Sequence, residues 1–424
     1  MNGVELVLSA DQRARLAGEA GSGVALCMRI LTKLARLRGA RRLIAVESAH
    51  LDGCLYHGQA GVDFVERLVG SGTTVAVPTT LNVGSLDLLH PGLVRTSAAD
   101  TAAANRLMAG YRALGARPTW TCAPYQAGHR PGLGRQVAWA ESNAIVFCNS
   151  VLGARTDRYG DFVDVSAAVT GLAPEAGLHL TANRRGTVII DCSALSAELR
   201  SMDVLYPVLG YLAGELAGTG VPVFTGLAAT SPGEDALKAL GATAASAGGV
   251  ALFHVVGVTP EAPTLEGALQ GADVPTVVVD VDTVRAARDR LSTSSGERLD
   301  AVSLGTPHLS VTEFAALAAL LGDGGSFHPD VDVWLSTSRA VLAEAQAAGY
   351  VDTVTAAGAR IIVDTCTYVT PVLHPGTRVV MTNSGKWAHY APGNLGVDVV
   401  FGSMGECVRS ARQGKVVRDD GVWS

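Results

Sequence analysis

Arg378–Gly393 reads RVVMTNSGKWAHYAPG, and this stretch decides how the chain is read. Its apolar run, Val379-Val380-Met381, lacks the polar alternation of a half-exposed strand and fits a strand buried on both faces. The run stops at Thr382-Asn383-Ser384-Gly385-Lys386, and Trp387, His389 and Tyr390 follow at once. From Ser384 onward the segment reads as a helix N-terminus, so strand and helix together form half of a βα unit.

The same pattern recurs outward in both directions. Short Val/Ile/Leu runs, small polar residues and Ala/Leu-rich helical stretches alternate in RRLIAVES, TTVAVPTT, AIVFCNS, GTVIIDCS, VPVFTG, VALFHVVG, PTVVVDV, DAVSLGT, DVWLSTS, ARIIVDT, TRVVMTNS and VDVVFGS. Such runs predict parallel strands covered by helices on both faces, an α/β fold with mainly parallel sheets. About a dozen strands exceed one ordinary open sheet, so several α/β domains are expected. Loop-like stretches set the boundaries: an N-terminal α/β region over 1–160, a middle α/β domain over 161–295 and a C-terminal α/β domain over 296–424. In the last of these, five polar strand tips fall at Gly305–His308, Ser336–Arg339, Asp364–Cys366, Asn383–Lys386 and Gly402–Ser403. Ligands of open parallel sheets bind beyond the carboxyl ends of the strands, where all these tips can face one cleft.

The 424 residues are 48% hydrophobic, ample for large cores, and 33 Lys+Arg against 39 Asp+Glu give a net charge of −6. No basic block suits a phosphate backbone, so nucleic acid is not an expected partner. The N-terminal MNGVELVLSADQRARLAGEAG lacks the regions of a signal peptide and offers Ser9 as a helix N-cap, which points to a cytoplasmic protein. The uncharged run ALGATAASAGGVALFHVVGVTP is rich in small residues and contains His254, so it reads as a helix end and a strand rather than a membrane span. Seven cysteines without regular spacing indicate no disulfide framework. Cys148 and Cys192 lie in strand-like runs and Cys27 and Cys407 on apparent helices, all four as packing residues.

The strand tips carry the chemistry. TNSGK is not a P-loop, because the first glycine of GxxxxGK is missing and Trp387 stands where a magnesium-holding Ser/Thr belongs. Ser384 has two readings: a plain N-cap beside a solvated lysine, or a hydroxyl made acidic by a helix N-terminus and Lys386, suited to an anion or to work as a base. Arg339 and Arg155 sit beyond strand-like runs, where guanidinium forks hold carboxylates. ESAHLDGCLYHG packs Glu47, Ser48, His50, Asp52, Cys54, Tyr56 and His57 together, more reactive types than a turn requires, although each histidine alone is commonly structural. Cys122 in TWTCAPYQ and Cys366 in IIVDTCTYVT lie where ligands are delivered to clefts.

Taken together, ESAHLDGCLYHG, VPTTLNVGSLD, TCAPYQ, VAWAESNAIVFCNSVLGART, DTCTYV and TNSGKWAHYAPG resemble the large subunit of aconitase X, a hydro-lyase branch of the aconitase superfamily. The resemblance runs from about residue 40 to about residue 410. It implies an aconitase-like catalytic body of several α/β domains without the swivel domain, which a separate small subunit would supply. It also implies an iron-sulfur cluster and dehydration of a small hydroxy acid. The SAHLDGCLYHG form is similar to the bacterial type, which converts cis-3-hydroxy-L-proline to 1-pyrroline-2-carboxylate; an archaeal type acts on mevalonate 5-phosphate. By the same resemblance Cys122 and Cys366 match cluster ligands and Cys54 is the natural third. Where the archaeal type carries Gly-Cys-Pro-His, this chain has Gly305-Thr306-Pro307-His308, so a 2Fe-2S and a 4Fe-4S cluster both stay open. Ser384 is the implied base, with Lys386 beside it. Arg155, Arg339, Ser48, Thr80 and Asn149 are substrate-binding candidates, and His50 or His57 would protonate the departing hydroxyl. Two further readings are a pyridoxal-phosphate dehydratase with Lys386 as Schiff base and a non-catalytic subunit that has lost its cluster.

Overall fold

The computed structural model describes residues 5–322 and 324–423. The chain divides into two units: one runs through Leu86 and from Thr96 to Arg185, and the other combines Asp87–Arg95 with everything from Gly186 onward.

In the first unit the strands are short. β1 (Leu43–Ala45), β2 (Ala49–Leu51), β3 (Thr79–Leu81), β4 (Ala138–Trp139) and β5 (Leu172–Pro174) form two small sheets. β2 lies between β3 and β4 and is parallel to both, with His50 in register with Thr80 on one side and with Trp139 on the other. RRLIAVES yields β1, which pairs antiparallel with β5. The amphipathic helix Ser22–Leu37 buries Ala25, Met28, Leu31 and Ala35, spaced three and four apart, and packs on the helix Val163–Thr170.

One strand expectation fails here. AIVFCNS belongs to the helix Ser142–Ser150, so Cys148 is a helical packing residue rather than a strand residue. Glu141 starts this helix at φ 71°, its carboxylate accepting from the backbone N–H of Ala144 at 2.7 Å. Asn143 through Ser150 are all buried, and a helix buried all round shows no period to tell it from a buried strand.

In the second unit, β6 (Val188–Asp191), β7 (Pro222–Thr225), β8 (His254–Val255) and β9 (Thr276–Val278) form a parallel sheet in the order β8-β7-β6-β9. A second parallel sheet contains β10 (Ala301–Leu309), β11 (Asp332–Thr337), β12 (Arg360–Ile362), β13 (Val379–Thr382) and β14 (Asp398–Phe401) in the order β12-β11-β10-β13-β14. All five point the same way, so their carboxyl ends share one edge. After β10, β11, β13 and β14, a serine caps the next helix: Ser310, Ser338, Ser384 and Ser403 each accept from a backbone N–H three residues on. The stretch Leu304–Leu309 of β10 breaks register with β11. Gly305 permits this, because it holds φ at 93° and any Cβ would run into the backbone of Ser336. The segment Asp87–Arg95 packs with this unit, the buried Asp87 carboxylate accepting from the backbone N–H of Val363 at 3.0 Å.

Among the described residues no helix is long and apolar enough to cross a membrane.

Candidate active site

At the carboxyl edge of the five-stranded sheet, hydroxyls tie three strand tips together. Ser384 caps the helix Gly385–Leu395, accepting from the N–H of Trp387 at 3.0 Å, while its own proton goes to the Thr306 carbonyl at the tip of β10. Ser384 is therefore an N-cap, but the lysine beside it, Lys386, is buried rather than solvated, and the same geometry aims Oγ at a helix N-terminus that favours negative charge. Gly385 is required for close packing, since a Cβ there would stand 2.5 Å from Thr243 of the helix Glu234–Ala247. Behind Ser384, Trp387 is fully buried and donates its indole N–H to Thr367 Oγ1 at 2.8 Å. Thr367 Oγ1 also lies 2.7 Å from Ser303 Oγ of β10. His308 Nε2 meets the Thr365 carbonyl at 3.0 Å. Cys366, between Thr365 and Thr367, is thus clamped to the base of the Ser384 turn. Two hydroxyls here, Thr306 Oγ1 and Ser336 Oγ, are buried without a hydrogen-bond partner among the described residues.

A residue the sequence reading missed lies underneath. Lys238 is fully buried, donates to the His308 carbonyl at 3.3 Å, pairs with Glu313 and stands 3.0 Å from Asp235. Burial pulls its ammonium pKa down, but Glu313 and Asp235 more than offset this and hold it above the usual lysine value. Lys238, Thr243, Thr306, Pro307, Asn383 and Ser384 line one small pocket. In sequence, Lys238 three residues after Asp235 looks like an ordinary surface pair, and nothing local signals its burial. Lys386 is buried as well. Arg339 forks onto Asp364, with Nε to Oδ1 at 2.8 Å and Nη2 to Oδ2 at 2.5 Å. The aromatics after Ser384 divide their roles: Trp387 belongs to the core, and Tyr390 stacks on Tyr368 at 5.8 Å.

In the first unit, ESAHLDGCLYHG opens on β2. His50 Nδ1 lies 2.8 Å from Thr80 Oγ1, which lies 2.8 Å from His129 Nδ1, and Trp139 packs against both imidazoles. Burial, with the neighbouring His129, holds His50 well below the usual histidine range. Burial and the Arg117 charge hold His129 at about 4, so both rings are neutral. Beyond them, Asn82 donates to Asp52, and Asp164 Oδ2 accepts from the Asp52 and Gly53 N–H groups at 2.8 and 3.3 Å. Burial and neighbouring carboxylates push both Asp52 and Asp164 up to about 7. Cys54 sits against this pair, its Sγ 3.6, 3.3 and 3.6 Å from the carbonyl oxygens of Leu51, Asn82 and Val83, which compete for its one proton. Burial, then Asp52 and Asp164, push its thiol well above the usual range.

The other expected residues are placed as follows. Ser48 is buried between β1 and β2, and His57 is exposed near Asp161. Asn149 closes on its own unit, its amide bound to Thr156 in both directions at 3.0 Å and to Arg184 at 3.0 Å. Arg155 donates to Thr181 Oγ1 at 2.7 Å. Cys122 and Cys366 are buried, and neither they nor Cys54 form a disulfide. Within the first unit the structure thus brings together His50, Thr80 and the unforeseen His129. Within the second it brings together Ser384, Thr306, the backbone around Cys366, and Lys238.

Models of the aconitase X first, second and third domains match residues 5–182, 186–289 and 299–413 in turn. The chain belongs to the aconitase X family. It is 45% identical over 411 residues to the cis-3-hydroxy-L-proline dehydratase of Pseudomonas aeruginosa, covering 96% of this chain and 70% of that one. To the phosphomevalonate dehydratase large subunit of Methanothermobacter thermautotrophicus it is 39% identical over 394 residues, covering 92% and 95%. The crystal structure of Thermococcus kodakaraensis aconitase X in its holo-form superposes with a TM-score of 0.85 at 33% identity, over 96% of this chain and 100% of that one. The α/β body with mainly parallel sheets is that of aconitase X.

The donor types suit the iron-sulfur group expected of an aconitase-like protein. Cys54, Cys122 and Cys366 are buried thiols outside any disulfide, and the unsatisfied Thr306 hydroxyl stands where the archaeal pattern has a thiolate. Among the described residues, no three His, Cys, Asp or Glu side chains gather into a ready metal nest.

Proposed function

We propose that this chain is the catalytic body of a hydro-lyase that dehydrates cis-3-hydroxy-L-proline to 1-pyrroline-2-carboxylate. The observation that carries the reading is the 45% identity to the Pseudomonas aeruginosa cis-3-hydroxy-L-proline dehydratase over 96% of the chain. A cis-3-hydroxy-L-proline dehydratase from Hypocrea jecorina, 40% identical over 417 residues, points the same way. Relatives named large subunits imply a smaller partner, proposed here as the swivel-domain subunit.

In this reading Ser384 takes the proton from C2 of the substrate. To do so Oγ must give up its hydrogen bond to the Thr306 carbonyl, and the Trp387 N–H and the helix N-terminus then hold the alkoxide. Lys386, buried in the first turn, adds positive charge near the base. Lys238 fixes the Thr306–His308 backbone through its bond to the His308 carbonyl, and so keeps Ser384 in place. Cys54, Cys122 and Cys366 are proposed as thiolate ligands of an iron-sulfur cluster. When bound, that group supplies a Lewis acid for the departing 3-hydroxyl.

Phosphomevalonate dehydration is the second reading, favoured by the 39% identity to an archaeal large subunit. Charge argues against it, because Lys238 and Arg339 are already committed to carboxylates, whereas a phosphate needs further cations. The test is anaerobic purification with the candidate small subunit, followed by NMR of cis-3-hydroxy-L-proline. Appearance of 1-pyrroline-2-carboxylate supports the reading, and turnover of mevalonate 5-phosphate alone replaces it with the second.

A further inference from the structure

In the first unit one hydroxyl stands between two imidazoles. Thr80 Oγ1 is 2.8 Å from His50 Nδ1 and 2.8 Å from His129 Nδ1, and among the described residues it has no other side-chain hydrogen bond. A hydroxyl has one proton to give, and Thr80 is buried, so that proton needs an acceptor. One Nδ1 must therefore be bare and accept it, while the other carries a hydrogen and donates to the Thr80 oxygen. The rings are opposite tautomers: one is protonated at Nδ1 with a bare Nε2, the other at Nε2. Both Nε2 atoms are buried and lack a partner at ordinary hydrogen-bond geometry, with the Thr121 backbone interacting with the His50 ring.

The backbone builds this arrangement. His50 and Thr80 are register partners across β2 and β3, and Trp139 is the partner of His50 on β4. The Trp139 ring lies 5.7 Å from His50 and 4.8 Å from His129, so it braces both imidazoles.

The geometry points to a neutral proton relay, Nε2 to Nε2, through His50, Thr80 and His129. When the ring protonated at Nε2 gives up that proton, its bare Nδ1 takes the Thr80 hydroxyl proton. The Thr80 oxygen takes the Nδ1 proton of the second ring, which gains one at its own Nε2. One proton enters, one leaves, both tautomers invert and no imidazolium forms. That suits a pocket where burial disfavours a charged ring. Delivery of the proton to a departing hydroxyl rests on the dehydratase reading, whereas the tautomer pair does not.

The test is long-range proton–nitrogen NMR of the full-length chain labelled with 15N-histidine, with His50→Gln and His129→Gln assigning the signals. The expected spectrum at pH 7 shows two neutral rings of opposite tautomer, retained in Thr80→Ser and no longer opposed in Thr80→Val. Two rings of the same tautomer, or an imidazolium, overturn the relay. If Thr80→Val fails to fold, the wild-type and Thr80→Ser spectra still decide. In the assembled enzyme, His129→Gln should lower turnover of cis-3-hydroxy-L-proline by about 10²-fold or more. Full activity of that variant, with opposed tautomers in the wild type, removes the relay from the reaction. A wild type that turns over no hydroxyproline refutes the dehydratase reading alone.

Discussion

Ser384 does two jobs with one oxygen, and they can be separated. Ser384→Ala should abolish turnover and also cost about 1 kcal/mol of stability, because the Trp387 N–H loses its acceptor. Ser384→Asn restores a good N-cap, so it should melt near the wild type and remain inactive. Calorimetry beside an NMR assay checks both. Lys238 shows the opposite balance, a charge kept in the core by its partners. Lys238→Met leaves Glu313 and Asp235 without their cation, and the expected loss is about 3 kcal/mol or more in urea unfolding, partly recovered by adding Glu313→Gln. At this scale the sequence named Ser384 and Cys366, because each falls beyond a strand end, and His50, because it stands in a cluster of reactive residue types, although it lies within β2 itself. It missed Lys238 and His129, because burial and a partner from a distant loop leave no local mark.

Among elements, the parallel strands of the second unit were legible from their unbroken aliphatic runs. The helix Ser142–Ser150 was not, since burial on every side erases the period that distinguishes helix from strand. The irregular end of β10 depends on Gly305. Gly305→Ala forces a Cβ against the Ser336 backbone at φ 93°, so the expected outcome is a less stable chain with little turnover, read by thermal melting and assay. The segment joining β2 to the helix Gln59–Gly70, with the helix Val163–Thr170, carries a pH signature through Asp164. Its pKa rises from 3.8 to about 7 on folding, chiefly by burial. Between those values the native state keeps a proton that the unfolded chain has lost, so stability is full below the lower value and falls as pH rises through the upper one. His129, depressed to about 4, contributes with the opposite sign up to the unfolded histidine value, so Asp164 is best isolated by difference. Unfolding of chelator-treated protein should show wild-type stability falling relative to Asp164→Asn by about 1.4 kcal/mol per pH unit across that window.

For the whole molecule, the proposals of a thiolate-held cluster and a small subunit make one joint prediction. Cys366→Ser and Cys122→Ser should purify anaerobically as folded proteins with reduced iron and sulfide content, and turnover should appear only when the small subunit is present. Elemental analysis, circular dichroism and activity of the mixed subunits check this. The sequence by itself determined the class of fold and the motifs at the strand ends. Strand burial writes unbroken aliphatic runs, and helix caps write serine, both within a few consecutive residues. Only the tertiary structure decided which tips meet: that Ser384 gives its proton to Thr306, that Trp387 reaches Thr367, that Asp87 docks beside Val363 and that Thr80 stands between His50 and His129. The physical reason is that hydrogen bonds and burial join residues 20 to 276 positions apart in the chain. Such pairings follow from sheet order and register, which no short stretch of sequence encodes.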